Sequence, residues 1–221
     1  MRIGVISEGH ADRAVISNII TGITGIDRSN IVPLRPIYNY DETDKALLKS
    51  EHFSSWSIIK EECESRELIN RFFQLDGQEF IVIHIDTAEA EQYGIIRPNK
   101  ASESYCDELR ELVVKQINNW LKDDISNQIL YAIAIEEIDA WVLTIYDKTD
   151  STKSAKPKEK LSYLLSRKGI DSTSNFDNFL KISKPLSKVR EIRDGKFLLY
   201  NCSLNAFYKE IETKVQPLIG E

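Results

Sequence analysis

The chain has 221 residues, 42% hydrophobic and 29% charged, with a formal net charge of −6. That composition is ordinary for a soluble globular protein, and the length suffices for one full domain with a helical extension. No apolar run approaches the roughly 20 residues of a membrane span, and Met1-Arg2 leads straight into Ile3–Ile6, which predicts neither a signal nor a transit peptide.

Charge is unevenly spread. Residues 1–147 carry 14 Lys and Arg against 26 Asp and Glu, a net of −12. Residues 148–221 carry 15 against 9, a net of +6. Acidic clusters suit hard cations and basic surfaces suit phosphates, so two functional surfaces are expected. Cys63, Cys106 and Cys202 are odd in number and far apart, with no zinc spacing. They predict reduced thiols and a cytoplasmic protein.

Arg2–Glu8 reads as a first strand, followed by a helix from about Asp12 to Thr24, with Gly22 and Gly25 marking its end. Asn30–Tyr40 is extended, and Pro33 and Pro36 make it an edge strand or an irregular connection. Asp41–Trp56 has no clear assignment. Trp56–Phe73 has the apolar spacing of one helix. Glu79–Asp86 is the central feature: Phe80–Ile85 is an apolar, β-branched run, which predicts a strand buried on both faces and ending in a carboxylate. Ser102 to about Lys122 predicts a helix, and Gln128–Glu136 another buried strand with a helix starting near its end. Alternation of strand and helix predicts a mostly parallel α/β sheet flanked by helices. Beyond Asp147 come a polar, basic linker and short helical patterns over 158–167, 175–182, 185–193 and 203–218. These define a helical extension, 148–221, packed on or beside an α/β domain of residues 1–147.

Glu8, Asp86 and the Glu136–Glu137–Asp139 group all follow predicted strands. In a parallel sheet such ends share one edge, where α/β folds place ligands. Converging carboxylates repel and raise one another's pKa, and a divalent cation offsets that cost. Magnesium, with oxygen ligands and retained waters, could there activate a water against a phosphodiester. His10 is a candidate substrate contact. His84 points to the same sheet face as Asp86 and reads as a satisfied core histidine, and Trp141 reads as core. Lys184, Lys188, Arg190 and Arg193 lie in a cationic run where spacing puts several on one helical face, a candidate phosphate surface. Aromatic residues are sparse in that run, so base stacking is not indicated there. No Gly-rich dinucleotide or phosphate loop is present.

Glu8-Gly9-His10-Ala11-Asp12, followed by Asp86 after an apolar strand, resembles the TOPRIM domain of topoisomerases, primases and OLD-type nucleases. The likeness is greatest to small prokaryotic TOPRIM-like proteins, through Glu136–Trp141 and Asn201–Phe207. The resemblance implies a TOPRIM/Rossmann-like fold and a magnesium- or manganese-dependent nuclease acting on DNA or RNA. It also implies a role in defence against phage, often beside a partner ATPase. It makes Glu8 a general acid/base or metal ligand, and Asp86, Glu136 and Asp139 metal ligands. The family's second motif acid would fall at position 88, where this chain has Ala88. Glu89 could substitute for it. The alternative is a noncatalytic sensor or regulatory subunit that binds a partner ATPase or a phage protein. Oligomeric state stays open.

Overall fold

The computed structural model describes residues 1–36, 55–122 and 125–219. The unassigned stretch Asp41–Trp56 lies almost wholly outside them, as does the end of the Asn30–Tyr40 segment.

Strand β1 (Arg2–Ile6) leads into helix α1 (His10–Thr24), and β2 (Ile31–Arg35) follows. Helices α2 (Ser55–Ser65) and α3 (Glu67–Phe73) precede β3 (Gln78–Asp86). Then come α4 (Tyr105–Leu121), β4 (Ile129–Ala134) and α5 (Asp139–Tyr146). The remainder is helical: α6 (Pro157–Arg167), α7 (Phe176–Ile182), α8 (Val189–Arg193), α9 (Cys202–Lys214) and α10 (Gln216–Ile219).

The strands form one parallel sheet in the order β2-β1-β3-β4. The expected α/β class, a parallel sheet flanked by helices with a helical C-terminal region, is what the chain forms. Alternation along β3 sorts its side chains. Phe80 and Val82 join Ile3, Val5 and Leu130 in a core under α1 and the C-terminal helices. Ile81, Ile83 and Ile85 join Tyr131 and Ile133 in a second core under α2, α3 and α4. Residues beyond 147 therefore complete one of the two faces: Phe179, Leu186, Ile192 and Phe207 belong to the same cluster as α1. No helix of the described residues is long and apolar enough to cross a membrane.

Several boundaries differ from expectation for local reasons. The helix expected over 56–73 is broken at Arg66, which takes a left-handed φ of 58°. Buried Glu62 supplies the cap that restarts it, accepting the Leu68 N–H at 2.8 Å and the Ile69 N–H at 3.3 Å. Gly22 does not end α1; it sits inside it. A Cβ there would lie 2.0 Å from the Leu186 carbonyl oxygen, so only glycine lets the 184–187 turn rest on the helix. Gly25, at φ 75°, is the true C-terminal cap. The three unpaired thiols expected from sequence are corrected to one. Cys106 on α4 and Cys202 at the start of α9 form a disulfide, with Cα atoms 6.6 Å apart, and buried Cys63 is free.

Helix α9 lies along β4, at the edge of the sheet. Lys214 Nζ donates to the Ile129 carbonyl at 2.8 Å, and Glu210 Oε2 accepts the Tyr131 N–H at 3.3 Å. Ser203 Oγ accepts the Ile135 N–H at 3.4 Å.

Candidate functional site

Parallel strands bring the ends of β1, β3 and β4 to one edge, and the chain then fixes the turns leaving it. Thr87 N–H donates to the Ala134 carbonyl at 3.0 Å, and Ala88 N–H to the Glu136 carbonyl at 2.9 Å. Thr87 Oγ1 accepts the Glu136 N–H at 2.8 Å. The two turns are thus held as one unit, and they aim their acids differently.

Glu8 Oε1 accepts the Asp86 N–H at 2.8 Å, which ties the end of β1 to the end of β3. Asp86 Oδ1 accepts the Ile138 N–H at 2.9 Å, at the turn that presents Asp139 on the first residue of α5. Asp12 sits one turn into α1, at the same edge. Burial first, and then the charges of Asp12, Asp139 and Glu137, push the Asp86 carboxyl well above its usual range, against the Ile138 hydrogen bond. Asp139 is 9% exposed; burial, Glu137 and Asp12 push its carboxyl up to about 7, with Lys158 opposing. Glu137 and Asp12 act on both Asp86 and Asp139, so the acids of α1, β3 and the turn into α5 lie near one another at this edge.

His84 lies beneath them, 0% exposed and edge-on to Trp141 at 6.4 Å between ring centroids. Its Nε2 is 3.1 Å from Asp86 Oδ1. Neither ring nitrogen makes a hydrogen bond of good geometry among the described residues. The satisfied core histidine expected from sequence is therefore corrected to a buried, unsatisfied one. Burial holds its pKa below the ordinary imidazole value, outweighing the charges of Asp12 and Glu8. Burial thus disfavours the charged form of both partners in this contact. His10 begins α1 at the same edge, and its Nδ1 is 3.1 Å from Arg13 Nη2. That nitrogen accepts from the guanidinium, which leaves the proton of the neutral ring on Nε2.

Glu136 has a different role from the one sequence assigned. It takes a left-handed φ of 64° and turns toward cations: Lys100 Nζ at 2.8 Å and Arg97 Nη1 at 3.4 Å. Arg97 also donates to the Thr87 carbonyl and, at 2.9 Å, to the Ala88 carbonyl, and its Nε is 2.6 Å from Glu91. Two cations thus pair with Glu136, which was expected as a further metal ligand, and they direct its carboxylate toward Arg97 and Lys100. Glu89 stands exposed in the turn after β3.

The cationic run is also relocated. α7 ends at Ile182, a 3₁₀ turn covers Lys184–Ser187 and α8 begins at Val189, so Lys181, Lys184 and Lys188 do not share a helical face. Arg193 Nη2 donates to the Ile23 carbonyl at 2.9 Å, at the far end of α1. Ile23 is about 20 Å along the helix axis from His10, at 1.5 Å per residue. Lys188 pairs with Glu191 at 2.6 Å. The run Lys184, Lys188, Arg190 and Arg193 therefore belongs to the opposite edge of the sheet from the acids. The cation that does meet the pocket is Lys158, on the first turn of α6. Its backbone N–H donates to Glu137 Oε2 at 3.4 Å.

The segments that carried the resemblance form one buttress behind the pocket. Trp141 is fully buried and stacks on Phe207 at 5.5 Å. Its Nε1 donates to Ser203 Oγ at 2.8 Å. Ser203 Oγ donates in turn to Asn201 Oδ1, which also caps α9 at the Leu204 N–H.

No family model, curated protein or solved structure matches the chain. Among the described residues, no three His, Cys, Asp or Glu side chains stand close enough to enclose a metal by themselves. The donor set is one of hard carboxylate oxygens around a buried, unsatisfied imidazole. It fits a hydrated magnesium or manganese ion held through one or two carboxylates, and not an all-protein cage.

Proposed function

We propose that the chain is a divalent-cation-dependent hydrolase of phosphodiester bonds in DNA or RNA. The observation that carries this is the meeting of Glu8, Asp12, Asp86, Glu137 and Asp139 at the carboxyl edge of the sheet. Burial and the neighbouring acids disfavour ionisation of Asp86 and Asp139, and a bound cation would offset that cost. Asp86, with Glu8 or Asp139, would hold the cation, which supplies Lewis-acid stabilisation and a more acidic bound water. The protein's own groups do the rest. Glu8 fixes the main chain at Asp86. His84 backs the Asp86 carboxyl. Asp139, with a pKa of about 7, exchanges a proton readily at neutral pH. Lys158 offers positive charge to a phosphate oxygen. A place in defence against phage, beside a partner ATPase, rests on the resemblance alone.

The second reading, a noncatalytic module for a partner ATPase or phage protein, is favoured by a specific feature: Ala88 adds no acid after Asp86, and Glu136 is bound to Arg97 and Lys100. One experiment separates the two. The chain is incubated with plasmid, single-stranded DNA and tRNA, with and without manganese. Glu8→Gln and Asp86→Asn are expected to lower cleavage about 100-fold or more, with unchanged circular dichroism. Cleavage that persists in both variants overturns the hydrolase. No cleavage by the parent, together with no effect of magnesium or manganese on its melting temperature, favours the binding module.

A further inference from the structure

Beside the acidic pocket is a cleft of ≈ 600 Å³, within the range of about 300–1,000 Å³ usual for ligand sites. Ser162, Tyr163 and Ser166 of α6 line it on one side, and Ser172 and Ser174 of the following loop line it on another. Leu161, Leu165 and Phe179, all nearly inaccessible, give it an apolar floor. Asp139, Lys158 and Glu159 also line it, so through Asp139 the cleft adjoins the acidic edge of the sheet.

We propose that this cleft holds one unpaired nucleoside, next to a phosphate at the acidic pocket. The position of that phosphate rests on the hydrolase reading. The chemistry of the cleft stands on its own residues. A base needs a flat apolar bed and an aromatic partner. Tyr163 is 61% exposed, although its ring lines a cleft with an apolar floor. The Arg167 guanidinium lies 5.8 Å from the centre of that ring, a cationic cover that stiffens a stacking platform. Base edges and sugar hydroxyls need partners that both donate and accept. Serine hydroxyls do both: Ser162 and Ser172 pair with each other at 2.9 Å, and their oxygens keep lone pairs for a ligand's donors. A phosphate on the nucleoside would meet Lys158, the one cation among the lining residues. Because a stacked, paired base cannot enter such a cleft, the substrate strand must be single, or the nucleotide turned out of its duplex.

Adenosine monophosphate and adenosine are the probes, titrated calorimetrically into the full chain with magnesium present. Ser166→Trp fills the cleft from an exposed position on α6, and Tyr163→Ala removes the platform. Both are expected to weaken adenosine monophosphate binding about tenfold or more, with melting temperatures that show each variant is folded. Adenosine, which has no phosphate, is expected to lose affinity in the same two variants. Equal binding to the parent and to both variants, or no binding to the parent, overturns the proposal. Binding that responds as expected in a chain that cuts no nucleic acid keeps the nucleoside site and removes only the hydrolase reading.

Discussion

Asp86 and Glu136 leave neighbouring strands at the same edge of the sheet, yet the fold treats their charges in opposite ways. Asp86 faces the α1 side, where burial and three other acids work against its ionisation. Glu136, two residues past the Ala134 that pairs with Asp86, is turned by a left-handed backbone into the grip of Arg97 and Lys100. A carboxylate at a strand end is therefore not in itself a site. What distinguishes the two is that the fold gives Glu136 two cations of its own, whereas under the proposed reading Asp86 takes its counter-charge from outside.

The sharpest way to break this contrast is to neutralise each acid in turn. Asp86→Asn is expected to abolish cation-dependent cleavage, whereas Glu136→Gln retains it within about threefold, since its charge is already spent on the protein. Equal losses in the two variants would merge the two regions into one site. Next in size is the effect of pH without added cation. Asp139 titrates at about 7 in the fold against 3.8 as the reference. The native state thus holds the extra proton between those values, and stability falls as pH rises through that window. Asp139→Asn is expected to be more stable than the parent at pH 8 by up to about 4 kcal/mol, and close to it near pH 4. Urea midpoints across the range measure this, and parallel curves for the two proteins would refute it. On the Glu136 side the effects are smaller and opposite in sign. Arg97→Ala leaves two carbonyls and a carboxylate short of a donor and is expected to cost about 2 kcal/mol. Lys100→Ala, removing a half-exposed partner, costs less than about 1 kcal/mol. Thermal melts in low and high salt test both, and a larger loss at Lys100 than at Arg97 would reverse the assignment.

Much of the fold was legible because it follows from short-range pattern. The apolar run at 80–85 and the spacing in α1 and α4 each specify an element without knowledge of its neighbours. The gathering of Glu8, Asp86 and Asp139 was legible too, since parallel strands must end together. The rest depended on contacts distant in sequence. Asp12 was part of the Glu8–Asp12 motif but carried no assigned role until the fold set its charge against Asp86. Lys158 sat in a stretch that reads as solvated linker. The Lys184–Arg193 run kept its composition but lost its role, because nothing in periodicity tells which edge of a sheet a helix will reach. The bond between Cys106 and Cys202 spans 96 residues with no spacing signal. Arg97 was missed for the same reason: its partners lie on two turns that only the folded sheet brings together.

The side chains that α9 lays along β4 have a consequence for how the molecule meets others. An outer strand normally offers a row of unpaired amides and carbonyls to any passing chain. Here Lys214, Glu210 and Ser203 occupy those groups at Ile129, Tyr131 and Ile135. At the other border Pro33 interrupts β2 with a residue that has no amide hydrogen to give. Among the described residues, side chains thus occupy part of the β4 border and a proline interrupts β2, and both features oppose the addition of a further strand.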